Sequence, residues 1–235
     1  MTLSACPIDA LLVGAVALLP DGRSQSGIRK SASGGALWLS PTGLQGDAQA
    51  DLRVHGGPEK AVHHYPREHY AHWALRSGRA DLLANAGAFG ENISTRGWDE
   101  SNVCIGDVVR LDEALVQVSQ GRQPCWKLDA HFGEPGTARE MQESGRTGWY
   151  YRVLEPGWVR SGARMTLVER PHPQWPLSRL IALLFSRDAR FAPEWALAAE
   201  LPALAERWRR TFAKRVASSS VEDWEPRLRT PPPDA

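Results

Sequence analysis

The chain of 235 residues has only three cysteines, Cys6, Cys104 and Cys125, and no CxxC pair. That scarcity argues against a disulfide framework and against a structural zinc knuckle. Free thiols in this number suit a reducing compartment. Charge imbalance is missing too: 28 basic against 27 acidic residues leave a formal net charge of +1, so no global field draws the chain to nucleic acid or an anionic membrane. Any anion must be met by a local cluster. No hydrophobic run approaches the length of a membrane span. The apolar stretch Ala10 to Leu19 has no Lys or Arg before it, the first being Arg23, and does not read as a signal peptide. Leu3-Ser4-Ala5-Cys6 looks like a lipoprotein cleavage site but follows no hydrophobic segment. Internal repeats, strong low-complexity segments and flavin or nicotinamide fingerprints are also missing. The expectation is a soluble, cytoplasmic protein.

What is present is a texture of short apolar or alternating runs: Leu11 to Leu19, Ala36 to Leu39, Val108 to Leu111, Leu115 to Ser119 and Met165 to Val168. Turn signals such as Pro20-Asp21-Gly22, Gly106-Asp107 and Pro156-Gly157 separate them. This pattern predicts a mainly β, α+β domain over residues 1–170, folded as a barrel or a curled sheet. Helices over Arg67 to Arg76, opened by Pro66, and over Thr137 to Ser144 are expected to cover it. Thr137 and Glu140 stand in capping-box spacing.

Beyond residue 170 the texture changes. Pro171-His172-Pro173-Gln174-Trp175-Pro176 reads as a stiff linker over 171–176. Residues 177–228 then read as a three-helix module, with Leu177, Leu180, Ile181 and Leu184 at helical spacing and Leu204, Trp208 and Phe212 at intervals of four. Residues 229–235 read as a disordered tail.

Chemistry concentrates in Val118 to Leu128, the run VSQGRQPCWKL, where Cys125 stands between Arg122 and Lys127 beside Pro124. Nearby cations and a helix N-terminus favour a thiolate, and Lys127 to Phe132 is placed to start a short helix. A nucleophile, a sulfur carrier, a soft metal ligand and a small buried hydrophobe are all compatible with this cysteine.

A second stretch, His55-Gly56-Gly57-Pro58-Glu59-Lys60, joins two flexible glycines to a cation, which suits a phosphate and equally suits a tight turn. Glu91 and Asn92 offer a carboxylate and an amide to orient a heterocycle. Trp126 is a possible aromatic wall, and Asp107 reads as a hairpin residue. Five of the seven histidines lie between residues 55 and 72. Their spacing does not make a zincin-like site, because no acidic residue completes the pattern and Pro66 separates His63 and His64 from His69 and His72.

Taken in order, Gly46-Asp47, Val54-His55-Gly56-Gly57-Pro58, Ala61 to His69 as AVHHYPREH, Phe89-Gly90-Glu91-Asn92, Ile105-Gly106-Asp107 and Arg122 to Leu128 as RQPCWKL resemble the MOSC domain family, YiiM-like branch. The linker and helices resemble the "3-alpha" module of that branch. The resemblance implies a closed, twisted β-barrel with peripheral helices. It also implies a molybdenum-cofactor (molybdopterin) oxidoreductase that reduces N-hydroxylated compounds, such as hydroxylaminopurine-type base analogues, in detoxification. Cys125 would be the catalytic residue and molybdenum ligand. His55, Gly56, Gly57, Lys60, Glu91, Asn92, Ser119, Gln120, Arg122 and Lys127 would bind the cofactor. Electrons would come from a separate flavoprotein or other donor protein, with no nucleic acid polymer or membrane as partner. A Cys125 persulfide in a sulfur carrier, a non-catalytic cofactor-delivery protein and a zinc hydrolase are the alternatives. One position departs from the branch: Gly121 stands where proline is expected before the motif arginine, which predicts a more flexible turn.

Overall fold

The longer strands form where apolar residues cluster or alternate, and fourteen strands occur in residues 5–231, the part described by the computed structural model. They are β1 (Cys6–Pro7), β2 (Ala10–Val13), β3 (Ala17–Leu18), β4 (Gln25–Ser26), β5 (Ser31–Ala32), β6 (Leu37–Ser40), β7 (Gly43–Leu44), β8 (Val62–Pro66), β9 (Ile93–Thr95), β10 (Val108–Leu111), β11 (Ala114–Gly121), β12 (Trp149–Glu155), β13 (Gly157–Val159) and β14 (Arg164–Glu169). Eight α-helices accompany them: α1 (Leu52–His55), α2 (His69–Ser77), α3 (Lys127–Phe132), α4 (Thr137–Ser144), α5 (Leu177–Leu184), α6 (Ala192–Ala199), α7 (Glu206–Ser218) and α8 (Glu225–Leu228). The class is α+β, as the sequence predicts. No helix among the described residues is long and apolar enough to cross a membrane.

Nine strands join in one sheet, in the order β1-β14-β10-β11-β12-β8-β9-β2-β5. β8 lies inside it, antiparallel to β12 and parallel to β9, and all five of its residues are buried. The expected closed barrel is not formed as an unbroken ring of paired strands. Instead, both ends of the sheet reach the same short segment: Ile8 N donates to Ala163 O (2.8 Å) on one side and Asp9 N to Ser94 O (3.0 Å) on the other. The ladder is interrupted because this segment changes partner between β1 and β2.

Local chemistry explains where the elements depart from expectation. The run from Leu11 to Leu19 breaks after Val13 because the amide of Gly14 donates to Asp47 Oδ1 (3.0 Å) and leaves the ladder. A Cβ at Gly14 would lie 2.1 Å from the Arg29 carbonyl oxygen. α2 starts at His69 rather than Arg67, since Arg67 N still donates to Thr95 O (2.9 Å) and Pro66 ends β8. α4 has the expected bounds but another cap: Asp129 accepts from Gly136 N (2.8 Å) and Ala138 N (2.7 Å), while Thr137 donates to Glu134 O (2.9 Å). The carboxylate comes from α3, so capping also ties α3 to α4. Asp107 is fully buried, paired with Arg170 (2.6 Å) and bonded by Cys104 N (2.9 Å), which makes it a brace.

The stretch 171–176 is fastened to the sheet. Trp175 is buried, Ile105 N donates to Trp175 O (3.0 Å), and Leu177 N donates to Val103 O (2.8 Å). One apolar cluster runs from Val116 and Val118 of β11 through Ile181 and Leu184 of α5 to Trp208 and Phe212 of α7. A second, with Tyr65, Tyr70, Trp73, Phe89, Leu128, Met141 and Leu228, lies under α2, α3, α4 and α8. Residues 229–231 follow α8 with Pro231 O accepting from Arg23 (2.9 Å). The remainder of the expected disordered tail, 232–235, lies outside the described residues, as do Leu3 and Ser4 of the cleavage-site look-alike.

Gly121 is not a flexible turn. It pairs with Trp149 at the end of β11, and a Cβ there would lie 2.9 Å from Ile181 and 3.1 Å from Trp208. Its missing side chain lets the helices pack on the sheet. Gly121→Val should lower unfolding stability by about 1–3 kcal/mol through overpacking, and Ile181→Ala on that background should recover part of the loss. Thermal and urea melts check this; an unchanged midpoint for Gly121→Val would contradict the packing assignment.

Candidate functional site

The sheet and its covering helices leave a cleft lined by Cys125, His55, Lys60, Arg122, Lys127, Asn92, Lys30, Asp47, Gln49, His63, Phe89 and Tyr150, among others. Cys125 is part-buried, and its Sγ lies 3.7 Å from His55 Nε2. Its carbonyl accepts from Leu128 N (2.9 Å) where the chain turns into α3. The thiol therefore stands just before that helix, as the sequence predicts.

Four cations share this cleft or its rim, and each donates to neutral oxygen. Lys60 Nζ bonds Val54 O (2.5 Å), Arg122 bonds Phe89 O (2.6 Å), Lys127 Nζ bonds Gln25 O (2.8 Å), and Arg227 bonds Pro124 O and the Gln142 amide oxygen. Among the described residues none of the four is in a salt bridge. Lys30 alone has a carboxylate, the buried Asp47. Burial, with Arg207 and Arg122 adding repulsion, pushes the Lys60 ammonium down to about 8, still mostly protonated at neutral pH. Burial and the surrounding Lys127, Lys60 and Arg122 charges push His55 down to about 4. With its proton on Nε2, a neutral His55 would donate toward the Cys125 sulfur.

Several sequence-predicted residues organise the cleft from behind. Glu91 is fully buried and takes hydrogen bonds from Gly87 N (2.7 Å), Phe89 N (3.1 Å) and the Tyr70 hydroxyl, so it shapes the 87–91 loop and does not line the cleft. Ser119 is spent on Glu59 O (2.6 Å) and Tyr150 O (3.1 Å), and Gln120 is buried in β11. Gly57 has φ 90° and closes the turn that carries Lys60: its carbonyl accepts from Lys60 N (2.9 Å). Neither Gly56 nor Gly57 lines the cleft. Asn92 does, with its amide held by His63 N (3.0 Å), Leu12 O (3.2 Å) and Asp47 (2.9 Å).

Lys30, Asp47, Gln49, His63, Phe89 and Tyr150 join the cleft although sequence reasoning assigned them no site role. Asp47, His63 and Phe89 stand in the quoted motifs, and Tyr150 alternates with the buried Trp149 and Tyr151. Lys30 carries no local signal. Tyr150 supplies the aromatic surface expected of Trp126, lying 4.9 Å from the His63 ring with Lys60 Nζ 5.7 Å away; Trp126 does not line the cleft. The histidines disperse. His64 bonds Tyr151 OH (3.1 Å) and Thr95 (2.9 Å), His69 meets Glu100 (2.7 Å), and His72 meets Glu140 (3.2 Å). No group of three or more His, Cys, Asp or Glu side chains gathers as a metal cage among the described residues.

Comparison with known proteins fits this geometry. The MOSC domain profile matches residues 51–166, and the YiiM-like, 3-alpha helix domain profile matches residues 175–219. Protein YiiM of Escherichia coli (strain K12) is 41% identical over 225 residues, covering 94% of this chain and 97% of that protein. The chain belongs to the YiiM-like branch of the MOSC family. The crystal structure of Escherichia coli YiiM superposes with a TM-score of 0.78, covering 96% of this chain and 98% of that one at 36% identity. A protein named "Reductase" from Gibberella moniliformis (strain M3125 / FGSC 7600) is 38% identical over 168 residues, covering 71% of this chain and 30% of that protein.

Two measurements probe the site. Burial raises the Cys6 thiol to about 11 and also raises Cys104, so iodoacetamide near neutral pH should label Cys125 first and the other two only after unfolding. Early labelling of Cys6 would contradict the geometry. Burial holds His64 down at about 3, below its ordinary value near 6.5. The unfolded chain therefore takes up the proton first, and stability falls as pH drops from about 6.5 toward 3. His64→Gln should flatten that dependence by up to one proton; an unchanged slope in denaturant titrations would overturn the assignment.

Proposed function

We propose that this MOSC protein is a molybdenum-cofactor-dependent reductase of N-hydroxylated compounds, such as hydroxylaminopurine-type base analogues, with the Cys125 thiolate as the protein's ligand to molybdenum. The observation that carries this reading is a part-buried thiol set among cations whose partners are neutral. Such a cleft fits a ligand that is both soft and anionic. Molybdenum held by a pterin dithiolene is soft and accepts a thiolate, and the pterin phosphate supplies the missing negative charge. Lys60, Arg122 and Lys127 would hold that phosphate. Asn92, fixed through Asp47 and β8, would meet the edge of the pterin, and Phe89 and Tyr150 would pack against its faces.

When bound, the cofactor supplies two-electron chemistry at the N–O bond; the chain binds, orients and shields it. His55, neutral at working pH, would steady the sulfur across 3.7 Å by carrying its proton on Nε2. The Lys60 ammonium keeps its proton below about pH 8 and holds positive charge beside the thiol. The fungal protein named a reductase supports the reaction class. The chain has no flavin or nicotinamide fingerprint, so the electrons would come from a separate flavoprotein or another donor protein.

The test is wild type against Cys125→Ala, both produced in a host that makes the cofactor. Wild type should carry molybdenum and reduce an N-hydroxylated base with an artificial electron donor, and the variant should lose both by at least about tenfold. Equal molybdenum in the two proteins would sink the ligand assignment. A persistent single-sulfur adduct without molybdenum would favour sulfur transfer, and molybdopterin without reduction would favour cofactor delivery.

A further inference from the structure

We propose that Arg227, in the last short helix, is a positioning residue for the Cys125 loop. Its main chain and its guanidinium hold the two peptide groups that flank the thiol. On one side, Trp126 N donates to the Arg227 carbonyl (2.9 Å). On the other, the Arg227 guanidinium donates to the Pro124 carbonyl, across 103 positions of sequence. The second arm of the same fork donates to Gln142 of α4. The face of Phe185, just after α5, lies 5.8 Å from the guanidinium carbon.

α8 is itself anchored. Leu228 is buried in the apolar cluster that holds Leu128 of α3, and Arg227 N donates to Trp224 O (3.0 Å). The arginine therefore reaches the cysteine loop from a seated base. Residues 225–228 lie beyond the matched 3-alpha region, which ends at residue 219. Arg227 thus lies outside both matched regions, while Pro124, Trp126 and Gln142, which it holds, lie inside the MOSC match.

The physical argument concerns loop order. Residues 122–125 have no regular secondary structure. Trp126 N–H lies at the start of α3, where the helix itself offers no acceptor. A metal ligand must be held within a fraction of an ångström of its working position, and a loop alone does this poorly. A charged donor on Pro124 O, with a carbonyl on Trp126 N, supplies that restraint from a helix seated through Leu228.

The inference rests on reading Cys125 as the working thiol. Its test uses full-length protein without molybdenum, so failure here leaves the metal assignment standing, and failure of that assignment leaves this geometry testable. Amide hydrogen exchange over the 124–128 segment is compared in wild type, Arg227→Met, Arg227→Lys and Leu228→Ala. Met keeps the apolar stem over Phe185 and loses both donors. Lys keeps the charge but on a single nitrogen, without the fork that spans both oxygens. Exchange at Trp126 and Leu128 should accelerate by about tenfold in the Met variant, less in the Lys variant, with the β8 amides unchanged. Leu228→Ala separates loss of the guanidinium from loosening of the helix, and it should accelerate this segment less than Met does. Wild-type exchange in Arg227→Met would overturn the proposal. So would equal effects of Lys and Met, or an effect of Leu228→Ala as large as that of Met.

Discussion

The constraint on which the rest of the site depends is unbalanced positive charge. Lys60, Arg122, Lys127 and Arg227 surround one thiol, and carbonyl or amide oxygen takes the place that a carboxylate usually fills. Burying a charge without a counter-ion is costly unless its hydrogen bonds are satisfied. Here the fold satisfies the geometry and leaves the charge. The nearby carboxylates are already spent: Asp47 on Lys30 and Asn92, Glu91 on the amides of its own loop. A cleft built this way is most stable with an anion in it.

Holding four like charges in place demands oxygens from separated parts of the chain. Gln25 of β4, Val54 of α1, Phe89 of the aromatic cluster and Pro124 of the cysteine loop supply the carbonyls. Phe89 stacks on Tyr65 of β8 at 4.5 Å and meets Tyr70 edge-on at 5.1 Å. The helices beyond residue 176 belong to the same construction. Gly121 lets them press onto β11 just before Arg122, Ala205 N donates to Ser119 O (2.8 Å), and Arg227 closes on the cysteine loop. They pack the back of the site as one body with the sheet.

Much of this was legible in the sequence because it depends on local chemistry. The strands β10, β11 and β14 and the helices α3 and α4 follow from pattern, and the MOSC resemblance named His55, Lys60, Asn92, Arg122, Cys125 and Lys127, which line one cleft. Motif membership could not separate residues that face the cleft from residues that shape it. Glu91, Ser119 and Gln120 stand in the same runs as Asn92 and Arg122 but point into the protein, where a buried polar group must be paired. The Asp129 cap of α4 and the Arg227 latch were illegible because each joins positions that only the tertiary fold brings together. Lys30 was hidden for the same reason, being recognisable only by its buried partner Asp47. The change of partner at Ile8 and Asp9, which interrupts the ring of paired strands, lies below what a pattern of apolar runs resolves.

The proposed bond between the Cys125 sulfur and molybdenum in this cation-lined cleft has a direct spectroscopic signature. X-ray absorption at the molybdenum edge on cofactor-loaded wild type and Cys125→Ser measures it directly. With Cys125 as a ligand, the serine variant shows one fewer sulfur neighbour at bonding distance wherever it retains metal. An unchanged sulfur shell in metal-retaining Cys125→Ser would contradict it.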